Sequence, residues 1–525
     1  MRVFCAAVVS AALLLMPSFG AAPQHRVIRA DLAKVTGPHS AVPLEVVGAG
    51  RAAEGLRADW QDQLATVQSE IGFKYLRMHG LLTDEMGVYS EDKAGNPQFN
   101  FQYVDSLYDA LLKLKIRPFV ELTFMPSKLA SGNTTIFWWK GNTSLPKDPA
   151  KWAMLMRALV AHFKERYGED EINKWYFEVW NEPDIRGFWP HPLEDYLSLY
   201  KTTAEAIRAE CAKCRIGGPA SAVPYAAEIK FEKWLLDNPS IPADFIALHA
   251  YGVNEGYLDE TGFAGTVIDP DPERVSGRMR HSRELIDATP LKGRELHFTE
   301  WSSAYTPTDY MHDQYHQASF ILNVVKRATP YVDSLSYWTF TDIFEELGPR
   351  FTPFHGGFGL MNLQGIKKPA YHAFKFLNRL QGEDVAVNDR ASWITKAKDG
   401  SITALFWDYS PVVPPKDSND QIYYKQELPT VAKGTATLNL TSVPDGRYEV
   451  SVYQIGYQQN DAFTAYAKMG MPKQLTRAQV ESLKSVSTGA PAARDTVEVK
   501  GGRFSKTLPM RANDCYEIVL KPIAN

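Results

Sequence analysis

The sequence is sparing in the features that announce several protein classes. Cysteine occurs only four times in 525 residues, too thinly for a disulfide framework. No second C-x-x-C and no histidine cluster stands near Cys211 and Cys214 to complete a four-ligand metal site. Positive charge is also lacking: 57 Lys and Arg against 61 Asp and Glu leave a net charge of −4, and no basic block of five or more occurs. Phosphate-backbone binding has no electrostatic support, so nucleic acid is not an expected partner. There is no internal repeat and no low-complexity linker. Long apolar runs are absent except at the start, where Arg2 precedes residues 3–16 and the small residues Gly20, Ala21 and Ala22 follow. That pattern is a secretory signal peptide, too short and wrongly flanked for a membrane span. Residues 1–22 are therefore expected to be a leader. A secreted or periplasmic protein with no membrane partner after cleavage follows. Cys211 and Cys214, at the end of a helical stretch, read as a local disulfide or as two inert thiols, and Cys515 is left over.

What is present is the balance of a globular chain, 45% hydrophobic and 22% charged, with length for two to four domains at ~150 residues each. Aromatics are plentiful, with 12 Trp, 25 Tyr and 26 Phe. Such rings fill large cores and stack on the apolar faces of flat ligands such as sugars.

Between residues 45 and 380, short β-rich apolar runs alternate with helical patterns. Eight strand candidates fall at 44–47, 75–78, 118–123, 175–180, 215–218, 245–249, 295–299 and 335–340. Helical stretches at 59–71, 104–114, 149–167, 193–212, 315–325 and 370–380 lie between or after them. Eight βα units over that length predict a (β/α)8 barrel of the α/β class, with its chemistry at the C-terminal ends of the strands. From 381 to 525 the pattern changes to period-2 alternation, at 402–409, 435–440, 448–453, 496–499 and 515–521. This predicts an antiparallel β-sandwich packed closely on the barrel, with one short helical insert at 474–485. Residues 23–44 precede the barrel, and 27–32 within them read as an edge strand of the sandwich. Trp407, Tyr423 and Tyr424 in this domain are explained by sugar binding or by strand packing alike.

Gly48-Ala49-Gly50-Arg51-Ala52-Ala53 matches a loose dinucleotide fingerprint, but the acid required at the end of the second strand is missing from Tyr75-Leu76-Arg77-Met78-His79-Gly80. No cofactor is expected. The stronger signal is Phe177-Glu178-Val179-Trp180-Asn181-Glu182-Pro183-Asp184, which sets Glu182 just past the fourth strand beside an amide and indole surface. His297-Phe298-Thr299-Glu300-Trp301 sets a second carboxylate just past the seventh. A lone glutamate at a strand end can cap a helix or pair with arginine. Two that face each other across a barrel mouth are what glycosidic cleavage requires, one to protonate the leaving oxygen and one to attack or to activate water. The histidines are too scattered for a metal hydrolase, so no metal is expected.

The W-N-E-P and T-E-W motifs resemble those of the retaining glycoside hydrolases of clan A. Together with Gly48 to Arg51, Arg77-Met78-His79, His249-Ala250-Tyr251 and the run from Tyr337 to Glu346, they are similar to glycoside hydrolase family 39, which contains β-xylosidases and α-L-iduronidases. The resemblance implies Glu182 as acid/base and Glu300 as nucleophile. It implies donors to Glu300 from His249 and Tyr251, a contact from Asn181 to the sugar 2-OH, and a sugar pocket lined by His79, Trp338, Glu345 and Glu346, only one of these two acids pointing inward. Tyr305 is a further candidate. A β-D-xyloside and an α-L-iduronide share stereochemistry at the reacting carbons, and the second adds a carboxylate that asks for a bidentate arginine. Arg350 is the one obvious candidate, and Glu345 and Glu346 nearby repel an anion. The expectation is an exo-acting β-xylosidase taking a glycoside or oligosaccharide, with arabinosides, β-glucosides, endo action and a non-catalytic carbohydrate-binding barrel as alternatives. Oligomerisation is left open.

Overall fold

The computed structural model describes residues 24–258, 264–415 and 420–523. The leader read at residues 1–22 lies outside them. Eight parallel strands close into a barrel: Val46–Arg51, Tyr75–His79, Arg117–Glu121, Tyr176–Glu178, Arg215–Ser221, Phe245–Tyr251, Glu295–Ser302 and Ser334–Tyr337. Each overlaps one of the eight sequence candidates. The first begins two residues later than expected because Val42–Leu44 forms a 3-10 turn. Helices Ala58–Glu70, Gln102–Lys113, Pro149–Tyr167, Leu193–Glu210, His316–Ala328 and Pro369–Arg379 match the amphipathic stretches, and Ala226–Asp237 and Arg274–Asp287 supply two that the sequence reading passed over. Among the described residues no helix is long and apolar enough to cross a membrane.

The strand period of two layers the barrel interior. Tyr75, Phe119, Tyr176 and Phe245 form a buried aromatic floor with His297, with ring centroids 4.7–5.7 Å apart. Two residues further along the same strands stand Arg77, Glu121 and Glu178. Above an apolar plug, therefore, the barrel carries a charged layer, and the polar end is the C-terminal one.

The C-terminal domain is one nine-stranded hydrogen-bonded sheet with its own apolar core. It is not wholly antiparallel: Gln24–Pro38 runs parallel to Ala432–Thr441 and antiparallel to Glu383–Val387. The segment expected at an edge of the sandwich is thus an interior strand, paired on both sides, and it stitches the sheet together before the chain enters the barrel. The helical insert is two helices, Ala462–Lys468 and Arg477–Ser485, each begun by a side-chain cap from Asp461 and Thr476 that the sequence reading missed for the first. Trp407 and Tyr424 are buried and belong to packing. Trp393, Leu405, Trp407, Ile455 and Cys515 join the barrel's core cluster, and Arg379 pairs with buried Glu517 across the junction. Cys211 and Cys214 are disulfide-bonded.

The glycines of the fingerprint match have a steric explanation. A Cβ on Gly48 would lie 2.4 Å from the Trp338 ring, and one on Gly50 would lie 2.2 Å from the Glu54 carboxylate. These glycines let the strand-eight indole and an acid approach the backbone.

The long segment after the eighth strand is held by buried charge. Lys368 Nζ lies 2.6 Å from both Asp313 and Asp342 and donates to the Gly357 carbonyl at 2.8 Å, with all three ionic side chains fully buried. Removing one partner of such a cluster strands the others. Lys368→Met is expected to lower stability by about 3–5 kcal/mol in urea denaturation at neutral pH, and a change under about 1 kcal/mol would show that the cluster does not hold the loop.

Candidate active site

The C-terminal face of the barrel is organised by one side chain. Arg77, fully buried at the end of the second strand, contacts Glu121 at 2.7 Å, Glu178 at 2.6 Å and Glu300 at 2.8 Å, and donates to the Asn181 amide oxygen at 2.7 Å. Burial alone would lower its pKa, yet the three carboxylates outweigh that and raise it. The same balance resolves differently at each acid. Burial opposes ionisation of Glu121, but Arg77 and His79 win and its pKa falls. At Glu178 burial wins and pushes it up to about 7.

Glu182 reaches the site through unusual backbone. Trp180 and Glu182 sit at φ +70° and +44°, in the left-handed region that side chains avoid at about 1–3 kcal/mol each. The turn is held by Asp184, whose carboxylate accepts the N–H groups of Ala222 and Val223. Glu300 arrives by a bulge. The sixth and seventh strands pair Leu248 with Phe298 but His249 with Glu300, so Thr299 is an extra residue that re-aims the following side chain. Without that insertion, alternation from inward His297 would turn Glu300 outward.

The two glutamates meet there. One oxygen of each and a ring nitrogen of His249 lie within 4.8 Å of one another. His249 Nδ1 is 2.7 Å from Glu182 and 3.5 Å from Glu300, so it partners the first rather than the second as expected. Tyr251 donates to Glu300 at 2.7 Å. Burial, followed by the Glu300 charge, raises the Glu182 pKa well above the carboxylate range. Burial, then Arg77, lowers the His249 pKa well below that of a free imidazole. These three are the one set among the described residues that could hold a cation. Both oxygens of Glu300 already accept donors, one of them the Arg77 guanidinium, which repels a metal ion. The arrangement suits proton transfer better than ligation.

His79 links the hub to the rim. Its Nδ1 contacts Glu121 at 2.8 Å, and its Nε2 lies 3.6 Å from Glu300 and 3.7 Å from Glu346. Trp338 packs 4.8 Å from the His79 ring. Phe124, Phe137 and Phe188 complete an aromatic wall around the same imidazole.

Comparison with known proteins gives the family. Residues 27–502 match the profile of the glycosyl hydrolases family 39. The chain belongs to that family. It is 36% identical over 451 residues, 84% of this chain and 85% of the relative, to a β-xylosidase of Geobacillus stearothermophilus. Two solved structures are similar throughout. A family 39 enzyme of Xanthomonas axonopodis pv. citri shares 39% identity with a TM-score of 0.92, covering 97% of this chain and 100% of that one. A monomeric β-xylosidase of Caulobacter crescentus CB15 shares 38% with a TM-score of 0.91, covering 95% and 100%. The chain is therefore a glycoside hydrolase, with a barrel and a β-sandwich.

Of the residues read from sequence, the structure brings together Glu182, Glu300, Asn181, His79, His249, Tyr251, Trp338 and Glu346. Burial, and then Glu300, raises the Glu346 pKa well above the ordinary range. Glu345 is turned away: its carboxylate is bound by Arg51 at 3.0 Å and Arg57 at 2.9 Å, two cations of the first barrel loop. Tyr305 stands at the rim, 40% exposed and edge-on to Tyr251 at 6.0 Å. Arg350 has Tyr310 and His355 as its electrostatic neighbours rather than the paired glutamates. The site also contains residues that the sequence motifs do not mark: the hub Arg77, its partners Glu121 and Glu178, and the wall of phenylalanines. Their signal was charge at alternate positions of otherwise apolar strands.

A neutral His249 follows from its burial and from Arg77. Nitrogen-15 NMR of the ring is expected to show it uncharged throughout pH 5.5–8, and a midpoint near 6.5 would contradict the arrangement.

Proposed function

We propose that this family 39 enzyme is an exported, retaining exo-glycosidase that hydrolyses β-D-xylosides such as xylo-oligosaccharides through a covalent glycosyl-enzyme intermediate. The observation that carries the reading is the unequal pair: Glu182 is held protonated beside a neutral imidazole, while both oxygens of Glu300 are taken up by donors. One oxygen of each lies within 4.8 Å of the other, a close approach that suits the roughly 5–5.5 Å spacing of carboxyl groups in a retaining pair.

In the first step the Glu182 proton passes to the glycosidic oxygen as Glu300 attacks the anomeric carbon. The carbon–oxygen bond breaks, an ester forms, and the alcohol leaves. In the second, ionised Glu182 takes a proton from water, whose oxygen attacks the same carbon and expels Glu300. Two inversions restore the β configuration. Asn181 is oriented by Arg77 through its carbonyl oxygen, and its buried Nδ2 finds no protein partner. A donor left unpartnered there fits a bond to the sugar 2-OH. This chemistry needs no cofactor.

The choice of a neutral pentose rests on the cations. Arg77 is saturated by four acceptors, Arg51 is paired with Glu54, Glu85 and Glu345, and Arg350 lies elsewhere. The further charged side chain that the pocket offers, Glu346, is an acid and not a cation. Export is supported by the leader pattern of residues 1–22 and by the Cys211–Cys214 disulfide, a bond of oxidising compartments.

Chromophore release from aryl β-D-xyloside, α-L-iduronide, α-L-arabinoside and β-D-glucoside should favour the xyloside by at least about tenfold in kcat/KM, or 1.4 kcal/mol. Preference for another glycone would overturn the substrate. Glu300→Ala is expected to lose about 10⁴-fold or more; full turnover would dismiss it as nucleophile. Since the acid must be protonated, wild-type activity should fall as pH rises through the Glu182 pKa, and Glu182→Gln should abolish that alkaline limb. An unchanged limb would assign the proton to another group.

A further inference from the structure

Three aromatic residues stand in a row, Phe137-Trp138-Trp139, at the tip of the hairpin formed by Thr135–Ile136 and Gly141–Asn142. The turn splits them. Phe137 stacks on His79 at 5.9 Å, and Trp139 lies under the Arg51 guanidinium at 5.6 Å and against Gly80. Both belong to the wall of the site. Trp138, between them, faces out and is 57% exposed.

An indole so exposed is usually free to turn, but this one is held. Its backbone N–H donates to the Glu346 carbonyl at 2.7 Å. A Cβ on Gly348 would lie 3.1 Å from Trp138 Cδ1 and Cγ and 3.3 Å from Cδ2. Near-equal distances to three atoms of one ring mean that the ring lies face-on over Gly348. Gly348 also adopts φ +78°, so glycine is required there on two counts. One face of the indole is backed by Gly348, and more than half of the residue remains in contact with water. Leu347 and Phe351, on the same strand-eight loop, are 49% and 87% exposed. Three exposed apolar side chains brought to one side of a catalytic pocket offer a surface on which a ligand leaving that pocket can rest.

Its shape selects the ligand. The C–H face of a pyranose is flat and apolar and lies against an aromatic ring while its hydroxyls point to water. The turn that presents Trp138 also supplies the pocket wall, and its backbone is bonded to Glu346 of the site, so the ring stands beside the pocket. We propose that Trp138 is a second saccharide-binding platform, stacking a pyranose unit of an oligosaccharide beyond the unit held at Glu182 and Glu300. The oligosaccharide class rests on the xyloside reading.

The test compares wild type, Trp138→Ala and Trp138→Phe as full chains. Turnover is read on aryl β-D-xyloside, xylobiose and xylotetraose, and binding of the two oligosaccharides is read by calorimetry with Glu300→Ala added to each chain so that neither ligand is hydrolysed. Trp138→Ala should leave the aryl xyloside within about twofold and raise KM and Kd for xylotetraose roughly 3- to 10-fold with kcat kept. Trp138→Phe should restore most of the affinity. Wild type that binds xylotetraose no better than xylobiose, or Trp138→Ala that binds both as wild type does, would overturn the platform. So would a change confined to oligomeric state in sedimentation, which would mark the face as a contact between chains. A wild type that cleaves no xyloside but loses tetrasaccharide affinity on Trp138→Ala would keep the platform and reject the xylosidase reading.

Discussion

One guanidinium buried among carboxylates is the constraint on which the rest of the catalytic face depends. Arg77 brings a single positive charge to Glu121, Glu178 and Glu300, with Glu182 and Glu346 close enough to feel Glu300. Arg77, even with His79 beside Glu121, cannot neutralise five largely buried acids, so protons must be distributed among them. Where they settle decides the chemistry. Glu300 takes the direct bond to Arg77, while Glu182, which has none, keeps its proton.

The barrel yields local regularity to assemble this group. Regular alternation would carry Glu300 out of the interior, and the bulge at Thr299 brings it back. A regular exit from the fourth strand would not place Glu182 under the mouth, and two left-handed residues do so, held by Asp184. The strand-eight segment bearing Trp338 and Glu346 runs across the top and is tied down by Lys368 between two aspartates.

Much of this was legible in the sequence, for physical reasons. The eight strands stood out because apolar β-branched runs recur between amphipathic helices. Glu182 and Glu300 stood out because each follows such a run beside tryptophan. Arg77 does not stand out because a charge inside an apolar strand reads as an interruption, although Tyr75-Arg77-His79, Phe119-Glu121 and Tyr176-Glu178 share one inward period. Glu345 and Glu346 are neighbours in a loop, and nothing local separates them. Arg51 and Arg57, nearly three hundred residues earlier in the chain, claim the first and leave the second facing His79. In the sandwich, Glu383–Val387, Ser392–Lys396 and Arg503–Arg511 escaped notice, the first and last because much of their surface faces solvent and their polarity hides the alternation. The parallel pairing of the N-terminal strand is a contact between chain ends that no local pattern encodes.

The central claim is that the carboxylate bound by Arg77 and Tyr251 forms the bond to the sugar. It is tested most directly by trapping with an activated 2-deoxy-2-fluoro-β-D-xyloside, which slows the second step, followed by proteolysis and mass spectrometry. The account predicts one added fluoroxylosyl group, carried by the peptide containing Glu300 and localised to that residue. A label on Glu182, on Glu346 or on any other side chain would contradict it.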